Sequence, residues 1–295
     1  MKLRRQKTLQ NLAAVLQAKY GSGYEVEPFG STCYGASCSS SDIDVSILDP
    51  ERPFGFDPKD EKALPPIYSV RYADYELTDP KTGMSCDVNV NCRLGTYNTK
   101  LIRQYCLRLP PLAQYIRNIK LWVKSKDLNN PSTRGVEPSF SSYAITLMTI
   151  AYLQSLGFLP NLQTDRYPIF ETHFWERSSS GARRTRVDVR FGARKLWKPA
   201  PGSLPPIERW FNFWAHEFDY AKEMPKQYRG DIVVLDPFQE KNVARRISAR
   251  ILGLFRESCE AAVRESDVVF KANRVSDKAA ELLTEEFRKA LKYEP

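Results

Sequence analysis

At 295 residues and 33.9 kDa the chain is long enough for two domains of ordinary size, each with its own core. A hydrophobic share of 42% and a charged share of 27% match soluble globular proteins, and no apolar run reaches the length that spans a bilayer. A formal net charge of +9 favours a polyanionic partner, nucleic acid or an anionic membrane surface, because clustered Lys and Arg release counterions when they meet phosphates.

In chain order, the opening segment is basic, and its Leu3, Leu12, Val15 and Leu16 predict an amphipathic helix without the apolar centre of a signal peptide; a mitochondrial presequence is the competing reading. Gly21-Ser22-Gly23 stops that pattern, and Tyr24 to Phe29 predicts a short strand ending in a Gly-Ser turn. A small-residue loop, Thr32 to Ser41, leads into Asp42 to Leu48. There Ile43, Val45 and Ile47 alternate with Asp42, Asp44 and Ser46, the pattern of a half-buried strand. Five prolines between Pro50 and Pro66 predict a surface excursion, and Ile67 to Leu77 a strand pair or sheet edge. Ser85 to Asn91 alternates again, with Asp87, Asn89 and Asn91 opposite Val88 and Val90. Helical periodicity begins at Leu101, and helices are predicted over Leu107 to Lys126, Ser141 to Leu156, Pro205 to Lys222, Ala244 to Leu254 and Asp277 to Tyr293. The expectation is an α+β chain. A mixed-sheet catalytic domain over 1–108 is followed by a mostly helical domain over 109–295, with a cleft between them and the boundary near Leu109-Pro110-Pro111.

The six cysteines form no C-x-x-C pair and the chain has only two histidines, which argues against a structural zinc site. Scattered cysteines in a chain this large read as reduced thiols of an intracellular protein, cytoplasmic, nuclear or mitochondrial.

The chemistry concentrates in Phe29 to Ile47 and in Ser85 to Asn91. Gly30 allows the backbone to approach a phosphate, and Ser31 adds a hydroxyl donor. Asp42 and Asp44, two apart on a strand, project the same way, and Asp87 adds a third carboxylate from another strand. Such a set suits two Mg²⁺ (or Mn²⁺) ions assisting an in-line displacement at phosphorus. A lone D-x-D is usually a polar strand edge and sometimes a glycosyltransferase metal site. The Gly-Ser turn eleven residues before the first aspartate, with the third aspartate beyond, is what makes the pattern specific.

With these motifs, from about Phe29 to Ser248, the chain resembles the poly(A) polymerases and terminal uridylyltransferases, of compact cytoplasmic type, of the DNA polymerase β-like nucleotidyltransferase superfamily. The resemblance implies that Gly30 and Ser31 bind triphosphate and that Asp42, Asp44 and Asp87 are the catalytic metal ligands. It places Asn98 and Thr99 beside the ribose, and Lys120 and Lys124, one helical turn apart, on the β- and γ-phosphates. A solvated helix face is the alternative for the two lysines. In the S-S-Y segment, Ser142 would touch phosphate and Tyr143 would stack on the base, or else serve as a core aromatic.

Ile232 to Ser248 resembles the family's nucleotide-recognition motif, with Asp236, Lys241 and Asn242 facing the base. Many uridylyltransferases have His where Lys241 stands, so the departure favours ATP over UTP. Cys92 replaces a second consecutive Asn after Asn91, which weakens the expected ribose contact.

Arg183, Arg184, Arg186, Arg190 and Arg194, with Lys195, Lys198, Phe191 and Trp197, read either as a single-stranded RNA tract or as a solvated loop. No RNA-binding module signature is found, so an RNA-binding adaptor protein is an expected partner beside the RNA 3′ end and the nucleoside triphosphate. The function implied is template-independent addition of AMP, or of UMP, to RNA 3′ ends. A transferase acting on a non-RNA acceptor, as oligoadenylate synthetases do, and a catalytically weak RNA-binding subunit are the competing readings.

Overall fold

The computed structural model describes residues 2–38, 41–60, 62, 64, 67–68, 75–131, 135–164, 172–177, 183–192, 200, 202–220, 231–239 and 241–273. They divide into two compact units. The first comprises Met1–Pro110, Asn161–Leu196 and Pro237–Gln239, and the second comprises Pro111–Pro160, Trp197–Asp236 and Glu240–Pro295. The expected single boundary at 108/109 is therefore replaced by a chain that re-enters the first unit twice. The cause is apolar: Phe174, Val187 and Val189 are buried against Tyr97, and Leu94 and Phe238 pack on the same cluster.

The first unit is built on helix α1 (Lys2–Tyr20) and strands β1 (Glu25–Phe29), β2 (Ile43–Leu48), β3 (Tyr75–Thr78) and β4 (Ser85–Val90), in sheet order β1-β2-β4-β3. The β2–β4 pair is parallel and the two outer pairs are antiparallel. Alternation decides the faces, as expected. Ile43, Val45 and Ile47 of β2 and Cys86, Val88 and Val90 of β4 are buried in one cluster, with Leu16 of α1. Each such side chain, moved from water into the core, contributes roughly 1.5–3 kcal/mol. The helix turns differently from the expectation: Leu12 packs on the core, while Leu3 and Val15 are 81% and 67% exposed.

The crossover that a parallel β2–β4 pair requires runs through the proline-rich excursion. A buried ionic network fixes its root: Arg52 Nη1 donates to Asp49 Oδ2 at 2.8 Å, Arg52 Nε lies 2.5 Å from Asp60 Oδ2, and Tyr68 donates to Asp49 at 2.8 Å. Burial, foremost, and the hydrogen bond to Asp49 push the Tyr68 hydroxyl well above its ordinary pKa. Much of Ile67 to Leu77 lies outside the described residues.

The predicted helix Leu107 to Lys126 is found as α3 (Leu112–Ser125); its first two residues instead end a separate helix, α2 (Leu94–Arg108), with the break at Pro110-Pro111. A ribbon that was not expected follows in the first unit: β5 (His173–Arg177) and β6 (Arg184–Asp188), antiparallel. In the second unit, α3 buries Leu112, Ile116, Ile119 and Val123, the spacing of one helix face. Helix α4 (Ser142–Ser155) is capped by Ser141, whose hydroxyl accepts from the Ala144 amide at 3.0 Å. Helix α5 (Ile207–Asn212) continues as a π turn over Phe213–Glu217, and α6 spans Ala249–Asn273, starting later than predicted. Trp210, Phe211 and Phe255 are fully buried, with Phe140 and Phe255 ring centroids 4.8 Å apart. The predicted helix Asp277 to Tyr293 falls outside the described residues.

Candidate active site

The register of the sheet brings the acidic residues together. Asp44 pairs with Asp87 across the parallel β2–β4 ladder, and the same row continues to Phe29 on β1 and Glu76 on β3. Paired positions on adjacent strands lie about 5 Å apart. Because their neighbours Ile43, Val45, Cys86 and Val88 fill the core, Asp44 and Asp87 share the opposite face. Asp87 is exposed and Asp44 half-buried; Asp42, also exposed, stands two residues upstream of Asp44, just before the strand.

Gly30 lies against that row. Its φ of +76° is left-handed, and a Cβ built on it would stand 2.0 Å from Asp44 Oδ2, so neither the backbone nor the space admits a side chain. The Gly30 amide donates to Thr99 Oγ1 at 2.8 Å, and Thr99 donates to the Gly95 carbonyl at 2.7 Å. Thr99, expected at the ribose, is thus a strut that ties the glycine turn to α2. Asn98 beside it is buried. Ser31 follows in a short 3₁₀ turn, Gly30–Thr32, and its carbonyl accepts from Ala36 at 3.1 Å. Gly95 permits the close seat of α2, since a Cβ there would meet the Phe29 ring at 2.7 Å.

The field of the acidic row is felt by two thiols. Burial first, then the negative charges of Asp79, Asp42 and Asp87, push Cys86 up to about 11. Burial, with Asp44 adding to it, raises Cys33. Among the described residues no group of three or more Asp, Glu, Cys or His side chains is gathered as it would be around a metal ion. The donors nonetheless suit a hard cation. They are carboxylates on one face of the sheet, two of them in direct register, with no thiol or imidazole on that row.

Asn91 is buried at a left-handed turn (φ 53°) and accepts from Arg93 Nε at 3.1 Å, so it shapes the passage from β4 to α2.

In the second unit, Lys120 is buried and Lys124 exposed on α3, one turn apart. The Tyr143 hydroxyl donates to Asp236 Oδ2 at 3.0 Å, which fixes the half-buried tyrosine ring against a buried carboxylate. Ser142 donates to Asn129 Oδ1 at 3.1 Å, a loop-to-helix link. Asn242 holds its own loop together. It is buried, its Oδ1 accepts from the Val234 and Ala244 amides at 2.9 Å each, and its Nδ2 donates to the Ile232 carbonyl at 2.9 Å. It staples the loop that holds Asp236, whose amide donates to the Lys241 carbonyl at 2.9 Å; the Lys241 side chain is exposed.

The arginine tract is split by the ribbon. Arg184 donates to the Asp57 and Asp60 carbonyls, and Arg190 makes a forked pair with Asp188 at 2.6–3.1 Å. Arg183 and Arg186 are exposed, while Arg194, Lys195 and Lys198 lie outside the described residues.

No family model matches the chain. The Schizosaccharomyces pombe poly(A) RNA polymerase cid13 is 31% identical over 178 residues, 54% of this chain and 30% of that protein. The mouse poly(A) RNA polymerase GLD2 is 26% identical over 267 residues, 74% of this chain and 51% of that protein. The chain thus spans about a third to half the length of these curated relatives. Among solved structures, the Cid1 poly(U) polymerase bound to MgGTP superposes with TM-score 0.65 at 21% identity, covering 90% of this chain and 88% of that one. Cid1 in complex with its short product ApU gives TM-score 0.65 at 23% identity, covering 90% and 87%.

The fold is that of a nucleotidyltransferase: a mixed sheet with flanking helices that carries its acidic row on the paired parallel strands. Within that class, the chain is similar in sequence to poly(A) RNA polymerases and in fold to the Cid1 poly(U) polymerase.

Proposed function

We propose that the chain is a template-independent RNA nucleotidyltransferase that adds AMP, in preference to UMP, to RNA 3′ ends with release of pyrophosphate. One observation carries the reading: Asp44 stands in direct register with Asp87, and Gly30 is pressed against the Asp44 carboxylate, on the face of the sheet opposite the core cluster. Few other chemistries need a glycine without side-chain clearance beside a pair of acidic strand residues.

Asp42, Asp44 and Asp87 are the residues that would hold divalent cations, two Mg²⁺ or Mn²⁺, whose chemistry when bound is to neutralise charge on the phosphates. The RNA 3′-hydroxyl oxygen forms the new bond to the α-phosphorus as the bond to pyrophosphate breaks, and Asp87 takes the hydroxyl proton. Gly30 lets the triphosphate approach the backbone, and the Ser31 hydroxyl donates to it. Lys120 and Lys124 balance charge on the β- and γ-phosphates. Tyr143 presents its ring to the base, a stacking contact worth roughly 1–3 kcal/mol, with Asp236 fixing its tilt.

The preference for ATP is supported by the poly(A) polymerase names of the sequence relatives and by Lys241 in place of histidine. The likeness to the Cid1 poly(U) polymerase supports UTP as the second reading. The test is incubation of a short single-stranded RNA with each ribonucleotide in turn, with Mg²⁺ and with Mn²⁺. Stepwise extension with ATP is expected; product formed from ATP without RNA would overturn the acceptor, and extension by UTP alone would overturn the nucleotide.

A further inference from the structure

The β5–β6 ribbon turns Phe174 and Val187 into the core and leaves its other face half-buried, with Arg186 exposed. Phe174 and Val187, opposite each other in register, are buried in the cluster with Tyr97. By the two-residue period of a strand, His173, Trp175 and Arg177 of β5 lie on the other face, together with Arg184, Arg186 and Asp188 of β6. A third segment joins them. The Trp175 amide donates to the Phe54 carbonyl at 2.7 Å, and the Phe56 amide donates to the Trp175 carbonyl at 2.9 Å. Gly55 makes this approach possible, because a Cβ there would meet the Trp175 carbonyl oxygen at 2.3 Å. The consequence is an aromatic row. Phe54 stacks on His173 with centroids 5.9 Å apart and planes 9° from parallel, and His173 meets Trp175 edge-on at 6.4 Å. Phe54 is 49% exposed.

We infer that this row is a stacking platform for unpaired bases of single-stranded RNA, lying outside the residues assigned above to catalysis and nucleotide binding. The charge around it suits a polyanion. Arg186 is exposed and stands in register with Trp175, and Arg183 is exposed beside β6. The ribbon's carboxylates are engaged elsewhere: Asp188 with Arg190, and Glu176 as acceptor of a 2.7 Å hydrogen bond from Gln239. Aromatic rings interleaved with guanidinium groups bind any base sequence, because every base has a π face. A duplex hides its bases and gains nothing from the rings. The inference rests on the RNA reading for its biological acceptor, but the platform is tested without turnover.

The experiment uses the full chain and a labelled single-stranded RNA of about 15 nucleotides, beside the same sequence in duplex, with affinity followed by fluorescence anisotropy. Phe54→Ala combined with Trp175→Ala is expected to weaken single-strand binding about tenfold while duplex binding stays within about twofold. Phe54→Tyr, which keeps a stackable ring, restores most of the loss in the Phe54→Ala chain. Arg186→Gln is expected to lower the slope of log K against log salt by about 0.7. Should Trp175→Ala fail to fold, Phe54→Ala and Arg186→Gln at exposed positions carry the test. Unchanged affinity and salt slope in both overturn the platform, as does equal weakening on duplex, or binding of an acidic peptide in place of the single strand. In extension assays, the ratio of kcat/KM for the long acceptor to that for a trinucleotide is expected to fall about tenfold in Phe54→Ala. A wild-type chain that binds single strands through these residues but extends neither acceptor supports the platform and refutes the catalytic reading. Extension with that ratio unchanged supports catalysis and refutes the platform.

Discussion

The acidic row on β2 and β4 and the loop from Ile232 to Ala244 are organised on opposite principles. In the row, backbone pairing sets position, and Asp44 and Asp87 are delivered to the face opposite the core cluster by strand register. In the loop from Ile232 to Ala244, side chains make the structure: Asn242 bonds three backbone groups, and Asp236 anchors Tyr143. Register tolerates change at the side chains it presents, whereas a loop built by its side chains does not. Substitutions in the row should therefore disturb chemistry and spare the fold, and those in the loop should do the reverse.

The sharpest way to break that contrast is Gly30→Ala. The added methyl meets Asp44 Oδ2 and displaces it, so kcat/KM for nucleotide addition is expected to fall by about a hundredfold or more, beyond the stability loss of about 1–3 kcal/mol that a left-handed alanine brings. Near-wild-type kinetics would show that Asp44 does not need its present place. Within the same unit, Arg52→Met removes one side of a buried ion pair that roots the crossover, and denaturant unfolding is expected to show a loss of about 3–5 kcal/mol. A smaller loss would mean that water reaches Asp49.

Asn242→Ala sharpens the contrast from the other side. Unfolding free energy should fall by about 1–3 kcal/mol while the ratio of ATP to UTP use is maintained; a changed ratio with unchanged stability would return Asn242 to the base edge. The smallest effect concerns the docking of α1. The Asn11 side chain donates to Asp79 at 2.9 Å and, foremost among several hydrogen bonds, lowers the Asp79 carboxyl to about 2. A carboxyl depressed in the folded state adds stability that is fully present above its unfolded pKa, near 4, and is lost as pH falls toward 2. Asn11→Ala should raise the Asp79 pKa in an NMR titration and move that loss to higher pH.

The same division explains what could be read from the sequence. Strands β2 and β4 and their open face follow from alternation, because a two-residue period exposes Asp44 and Asp87 whenever Val45 and Val88 are buried. The glycine turn was legible because Gly30 precedes the acidic strand at a telling distance. The β5–β6 ribbon was missed because its alternation is short and its outer positions are charged or aromatic, so the tract reads as a basic loop. Phe174, Val187 and Val189 were the available signal. The hydrogen bonds of Thr99, Ser142 and Asn242 were illegible for another reason: their partners, the Gly30 amide, the Asn129 side chain and the Val234 amide, are brought near only by folding. The division of the helix at Pro110-Pro111 was visible in the prolines themselves but was outweighed by the apolar period on either side.

The account turns most directly on single-turnover extension of a short single-stranded RNA with ATP by the Asp44→Asn and Asp87→Asn chains. Both are expected to lose at least about a thousandfold in rate while unfolding at the wild-type temperature. Extension by either within about tenfold of wild type would contradict the assignment of this row as the seat of nucleotidyl transfer.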